Sequence, residues 1–331
     1  MKAAYIEKVG PPENIIYGEI PTPQPQASEV LVKVSAVAVN PVDTYVRSGM
    51  LSFDLPLPFV VGCDLAGVVE ATGPQVDRFQ AGDRVWCSNQ GLLGRQGTFA
   101  EYAVVDEQWL YSTPANIDDQ TAAACALVSI TAHLGLFRDA KLEAGETILV
   151  QGGSGGIGSI VIQMAKAVDA RVITTAGSPE KVAKCLELGA DVALNYREED
   201  VATGILESTG GAGVNVFWET QREPDFDQIV GALSERGRIV LMAGREARPE
   251  FPVGPFYVKG CAMVGFAMFN ASYQEQQKCA DDINSWLADE KVRAHIDRIL
   301  PLSETAFAHS LQEQNTVAKA GTLAGKIVLI P

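Results

Sequence analysis

Short apolar segments separated by turn residues fill the first third of the chain, with polar and apolar positions alternating in the first half of 29–39, and they give way to helical spacing broken by short apolar runs. Residues 2–6, 29–39, 64–73 and 97–105 read as strands, rich in β-branched and aromatic side chains and bounded by turn residues. Pro21, Pro23 and Pro25 mark a connecting loop, and Ala81-Gly82-Asp83 leads into a strand at 84–86. Asn40-Pro41-Val42-Asp43 reads as a turn with Asp43 as a helix cap. Short strands at this spacing predict a small barrel-like β domain. Residues 121–137 are alanine-rich and helical. Strand and helix then alternate: strands at 147–151, 171–175, 192–195, 214–219, 238–243 and 263–266, helices at 156–168, 179–188 and 225–233. Repeated βαβ units mean a parallel sheet covered on both faces. A helix at 273–289 and a strand at 326–330 follow, the strand returning to the first domain. The expected division is 1–123 with 269–331 against 124–268.

The chemistry concentrates at Thr147-Ile148-Leu149-Val150-Gln151-Gly152-Gly153-Ser154-Gly155-Gly156-Ile157-Gly158-Ser159. An apolar strand stops at glycines spaced Gly153-x-Gly155-x-x-Gly158, and an apolar helix begins at once. That is the arrangement of a dinucleotide turn, in which backbone N–H groups and the helix dipole meet a pyrophosphate. The same glycines in another context would be a structural turn only. NAD-binding chains place an acid at the end of the next strand. Here that position is followed by Thr175-Ala176-Gly177-Ser178-Pro179-Glu180-Lys181. Ser178 and Lys181 suit a 2′-phosphate, which predicts NADPH over NADH. Equally, Ser178 reads as a helix N-cap, Lys181 as a solvated charge, and Glu180 as a complement to the helix dipole.

Composition narrows the class. The 331 residues carry a formal charge of −15, with 26 basic against 41 acidic side chains and no basic cluster, so nucleic acid is not an expected partner. The uncharged stretch 147–165 is long enough for a membrane span, but its glycines break a continuous helix. The N-terminus lacks a signal-like apolar core, and the six scattered cysteines form no Cys-x-x-Cys pair. The expectation is a cytoplasmic protein without disulfides.

Several segments together resemble the zinc-free quinone oxidoreductases, the ζ-crystallin-like branch of the medium-chain dehydrogenase/reductases. They are Asn40-Pro41-Val42-Asp43-Thr44-Tyr45-Val46-Arg47-Ser48-Gly49, Gly62-Cys63-Asp64-Leu65-Ala66-Gly67-Val68-Val69, Ala81-Gly82-Asp83-Arg84-Val85 and Gly97-Thr98-Phe99-Ala100-Glu101-Tyr102. The glycine turn, Asn195-Tyr196-Arg197-Glu198 and Gly325-Lys326 follow in family order. The resemblance implies an α/β protein: a GroES-like β-rich catalytic domain and a Rossmann doubly wound parallel sheet, with a cleft between them. It implies NADPH, a homodimer, and a small-molecule quinone or enone as substrate. Ser154, Gly155, Gly156 and Ile157 would meet the pyrophosphate. Gly177, Ser178, Lys181 and Tyr196 would surround the adenosine and its 2′-phosphate. Met242, Gly244, Arg245, Phe266 and Phe269 would line the nicotinamide, and Asn40 and Tyr45 would face the substrate.

The chain departs from the zinc-dependent relatives: their metal-binding cysteine near Asn40 is missing, Cys63 replaces a histidine, and their four-cysteine lobe is absent. One thiol cannot hold a catalytic zinc, so no metal is expected. Leu51 replaces a stacking tyrosine, which makes the pocket wall apolar, and Gly321 replaces an arginine that some members direct at the 2′-phosphate. Without metal, fixed donors must meet the oxyanion: Asn40 first, through its amide, and Tyr45 second, through its phenol. Asn40 also reads as a turn residue before Pro41, and Tyr45 as a cleft wall. His133 is expected in the core, His295 and His309 at the surface. The alternative function is a non-enzymatic NADPH-binding protein.

Overall fold

The computed structural model describes residues 1–51 and 53–331. The chain divides into two compact units, Met1–Ile130 with Ala271–Pro331, and Thr131–Asn270.

In the first unit β1 (Lys2–Ile6) pairs antiparallel with β2 (Ile16–Glu19) and, along its other edge, with the short β4 (Phe59–Val60). The long β3 (Glu29–Val39) is the spine of the larger sheet. Helix α1 (Pro41–Ser48) follows β3 directly, with proline at its first position and Gly49 ending it at φ +82°. Strands β5 (Leu65–Thr72), β6 (Arg84–Cys87), β7 (Tyr102–Asp106) and β8 (Leu110–Ser112) complete this part. β3 packs so tightly on β5 that a Cβ on Gly67 would sit 2.2 Å from the Lys33 carbonyl, which is why glycine stands there. Helix α2 (Asp119–His133) continues through a π turn, Leu134–Asp139. Residues Asp119–Asp139 are long and apolar enough to cross a membrane, yet 78% of the most apolar window is buried inside the protein, as in a core helix.

The second unit is a six-stranded parallel sheet. Its strands are β9 (Thr147–Val150), β10 (Arg171–Ala176), β11 (Val192–Asn195), β12 (Val214–Glu219), β13 (Leu233–Leu241) and β14 (Ala262–Gly265), in the order β11-β10-β9-β12-β13-β14. Helices α3 (Gly156–Ala167), α4 (Pro179–Glu187), α5 (Val201–Ser208), α6 (Phe226–Ala232) and α7 (Val253–Val258) connect them. The central strands β9, β10 and β12 are buried at all but one position each, as a parallel sheet covered on both faces requires. The chain then returns to the first unit through α8 (Tyr273–Ala288), β15 (Ile296–Pro301), α9 (Thr305–Thr316) and β16 (Lys326–Ile330). β16 pairs antiparallel with β3, Ile327 opposite Val39.

Several expectations need correction. Of the strand expected at 97–105 only 102–105 forms, within β7, which runs on to Asp106. The preceding backbone is spent on irregular bonds, Gly97 N–H to Val60 and Phe99 N–H to Val61, where a Cβ on Gly97 would meet the Val60 carbonyl at 2.3 Å. Asn40, not Asp43, is the N-cap of α1; the Asp43 carboxylate, one turn in, accepts from the Asn40 N–H at 2.7 Å. His309 is not at the surface. It lies on the buried face of α9, edge-on to Phe99 at 6.1 Å, with neither ring nitrogen hydrogen-bonded. The pattern of α9 is polar enough to hide this face.

Burial, with the nearby Arg47 guanidinium, pulls the His309 imidazole down to about 3. From its ordinary 6.5 down to about 3, the unfolded chain takes up a proton that the folded protein refuses, so His309 removes stability as pH falls. His309→Phe is expected to gain on the order of 1 kcal/mol over the wild type per pH unit in that window, with little pH-dependent difference above it. Denaturant unfolding at pH 7 and pH 5 checks this; the same difference at both values refutes it.

Candidate functional site

Strand order reverses between β9 and β12, and in open parallel sheets ligands bind beyond the carboxyl ends of the strands at such a reversal. The glycine turn lies there. It is tied to both neighbouring strands: Gly152 and Gly153 N–H donate to the Thr175 hydroxyl at 3.1 Å and its carbonyl at 3.0 Å, and Gln151 N–H to the Trp218 carbonyl at 3.1 Å. The three glycines of the motif differ in kind. A Cβ on Gly153 would meet Thr174 Oγ1 at 2.2 Å, and one on Gly158 would meet the Gly152 carbonyl at 2.3 Å, so the fold itself excludes side chains at both. At Gly155 the nearest atom is 3.3 Å away, and its φ of −78° suits any residue. Gly155 is also the N-cap of α3, with no side chain capping the helix. Four N–H groups at such an end lack intrahelical partners. The Gly155 N–H is spent on the Gly152 carbonyl at 3.1 Å, so the donors without an intrahelical partner are the N–H groups of Gly156, Ile157 and Gly158, which with Ser154 beside them make the kind of helix start that can receive a pyrophosphate.

Because the sheet is parallel, the ends of β10, β11, β13 and β14 share this edge. Ser178 caps α4, its hydroxyl accepting from the Lys181 N–H at 3.3 Å. The hydroxyl also holds the Glu180 carboxylate below its usual range, so a 2′-phosphate there would have to displace that acid. The exposed Tyr196 lies across Gly177, where a Cβ would sit 2.3 Å from its phenol oxygen. After β13 come the half-buried Met242, then Gly244 at φ +80° and the exposed Arg245. After β14 come Phe266 and Phe269, both half-buried; Phe266 packs edge-on to Trp218 at 6.4 Å with the Arg138 guanidinium 5.8 Å from its ring.

One residue of this edge went unpredicted. Glu219 ends β12 fully inside the protein. With its amide turned to satisfy both ends, Gln151 donates to the two Glu219 oxygens at 2.6 and 2.8 Å. Burial pushes the carboxyl up to about 7 against the pull of the Gln221 and Thr220 N–H groups. The signal was an acid closing the apolar strand Val214-Asn215-Val216-Phe217-Trp218-Glu219 beside the glycine turn.

In the first unit, Asn40 has no exposed surface. Its Nδ2 donates to Asp64 Oδ2 at 2.8 Å and to the Ala38 carbonyl at 3.2 Å, while Oδ1 accepts from the Lys326 ammonium. Both amide hydrogens are committed. This corrects the expectation of Asn40 as an oxyanion donor: no N–H remains for an external oxygen. Tyr45, on α1, keeps part of its surface exposed. Cys63 is buried beside Asp43 and Asp64, and burial, then those carboxyls, push its thiol up. Burial raises Asp43 to about 7 and raises Asp64, the latter held back by Lys326 and Asn40. Among the described residues no three His, Cys, Asp or Glu side chains are placed to hold a metal ion. The cation within this cluster is Lys326, so the residues do not fit a zinc site.

The glycine geometry makes a paired prediction. Gly155→Ala is expected to leave stability within about 0.5 kcal/mol while weakening NADPH binding roughly tenfold or more. Gly158→Ala is expected to cost about 1–3 kcal/mol of stability through overpacking. Thermal melts and titration calorimetry separate the two; equal destabilisation by both variants refutes the division.

Two family models match: an alcohol dehydrogenase GroES-like domain over residues 26–115 and a zinc-binding dehydrogenase domain over 156–284. The quinone oxidoreductase of Lama guanicoe is 32% identical over 331 residues, covering 100% of this chain and 97% of its own. A chloroplastic NADPH-dependent alkenal/one oxidoreductase of Arabidopsis thaliana is 32% identical, covering 94% of this chain and 74% of its own. The crystal structure of Escherichia coli quinone oxidoreductase complexed with NADPH superposes with a TM-score of 0.86 over 100% of both chains, at 26% identity.

Proposed function

Because the chain belongs to the quinone oxidoreductase branch of the medium-chain dehydrogenase/reductase superfamily, we propose that this oxidoreductase uses NADPH to reduce a quinone or the double bond of an α,β-unsaturated carbonyl, without zinc. The uncapped, side-chain-free start of α3 at the strand reversal carries the cofactor reading. Lys326 standing as the cation beside Asn40, Asp64 and Cys63 supports the metal-free one. The relatives' printed activities supply the substrate class.

In this reading the N–H groups of Gly156 and Ile157, with Ser154 and the side-chain-free Gly155 beside them, hold the pyrophosphate, and Gly177 with Tyr196 forms a flat seat for the adenosine. Ser178 and Lys181 take the 2′-phosphate, with Arg245 at the same sheet edge as a further cation. Phe266 and Phe269 shield the nicotinamide, and NADPH supplies a hydride from its C4. Charge then builds on the acceptor oxygen, where a fixed donor is worth most. With Asn40 committed, that donor is the Tyr45 phenol. A quinone needs little such help, since its hydroquinone draws protons from water; an enone needs more. Leu51 suits an apolar acceptor.

Following NADPH absorbance with a small quinone and then a 2-alkenal tests this, with NADH as comparison and metal analysis of the same sample. Turnover of at least one acceptor with substoichiometric zinc is expected, with NADPH preferred at low concentration. Tyr45→Phe is expected to slow the alkenal by about tenfold or more and the quinone far less. Tight NADPH binding without oxidation by either acceptor overturns the reading in favour of a non-enzymatic binding protein.

We further propose a homodimer formed through β14, in a cytoplasmic setting. β14 is the sheet's edge strand, paired on one side by β13, and exposed apolar side chains Val253, Tyr257, Val258 and Met263 lie on or near it. An exposed edge with such neighbours favours pairing with a second copy. Light scattering is expected to give a dimer that Met263→Lys with Tyr257→Lys converts to monomer. A monomeric wild type refutes it.

A further inference from the structure

The reaction proposed above leaves unused the most strongly charged buried cluster of the first unit. Lys326 opens β16, its side chain almost wholly enclosed. Its backbone is set by a close crossing: Gly325 takes φ +114°, a Cβ there would lie 2.3 Å from the His295 carbonyl, and the Lys326 N–H donates to that carbonyl at 2.8 Å. The ammonium therefore enters the cluster from a rigid base. It donates to the Val39 carbonyl at 2.8 Å and to Asn40 Oδ1.

An ammonium has donors only, so Asn40 must turn its oxygen toward Lys326 and its nitrogen toward Asp64. The Asn40 N–H in turn binds Asp43, the residue that completes the first turn of α1. One lysine thus sets the amide orientation of Asn40, the N-cap of the helix that carries Tyr45.

We infer that Lys326 is a positioning residue: its buried ammonium, by holding Asn40 between itself and Asp64, fixes the start of α1 and so the placement of Tyr45 for acceptor reduction. It is also the cation that lets Asp43 and Asp64 be enclosed together. The inference rests on the reading of α1 as the acceptor side, and wild-type turnover tests that reading separately.

Two variants test it. Lys326→Met removes the charge at nearly constant length. Asp64→Asn with Lys326→Met removes a charge of each sign, so the cluster is expected to fold. Four quantities are read: thermal midpoint, NADPH affinity, kcat and KM for the 2-alkenal, and hydrogen exchange of the α1 amides. The single variant is expected to melt lower. The double variant is expected to regain most of the midpoint, yet both keep NADPH affinity within about twofold and lose roughly tenfold in kcat. In both, α1 amides are expected to exchange faster while those of β9 and β12 do not. Wild-type kcat and α1 protection in either variant overturn the inference, as does a double variant that fails to fold. A wild type without turnover sinks the functional reading and this inference with it, while faster α1 exchange alone would retain only the clamp.

Discussion

Backbone crowding at the turn between β9 and α3 is the constraint on which the second unit depends. Thr174 and the Gly152 carbonyl stand where side chains at Gly153 and Gly158 would go, so strand and helix close to their observed distance only with glycine at both places. That closeness aims the start of α3 across the carboxyl edge of the sheet. Gly155 is different in kind. Only the Gly152 carbonyl comes near, 3.3 Å from where a Cβ would stand, a close contact but far looser than those at Gly153 and Gly158. A single motif thus contains two glycines that packing requires and one on which packing presses far less.

The first unit solves another problem, the burial of charge. Two carboxyls, a thiol and an ammonium are enclosed beside the start of α1, and each is shifted toward its neutral form by burial. Such a cluster persists only when its hydrogen bonds are well placed, and Asn40 supplies the joint by bonding through both ends of its amide. The side chain whose position suggested a donor to substrate is therefore spent on the framework. At the other unit's reversal point, Glu219 repeats the theme: a buried acid near neutrality held against Gln151, the residue that opens the glycine turn.

Much was legible before any coordinates. The alternation of strand and helix after residue 147 predicted the parallel sheet, because buried parallel strands must be apolar runs bounded by turns. Strand 326–330 pairs with β3 within the first unit, and its unbroken apolar run, buried along nearly its whole length, does not by itself name that partner. The short helix 201–208, with Ile205 alone buried, shows no stripe to read, and the mixed polar composition of 305–316 hides the buried face of a helix, Thr305, Ala308, His309 and Gln312. His309 was misjudged for the same reason: its neighbours in sequence are polar, while its neighbours in space are Phe99 and Arg47.

By itself the sequence determined the class of the protein, the family signature and the place of the dinucleotide turn, because local spacing and glycine demand act over a few residues. It also showed that the Asn40 turn itself carries neither cysteine nor histidine. Only the tertiary structure decided what Asn40 does, since its partners Asp64 and Lys326 lie 24 and 286 residues away. It alone separated Gly155 from Gly153 and Gly158, and it alone exposed Glu219. Each of those facts is a distance between atoms far apart in the chain, and no local pattern carries that information.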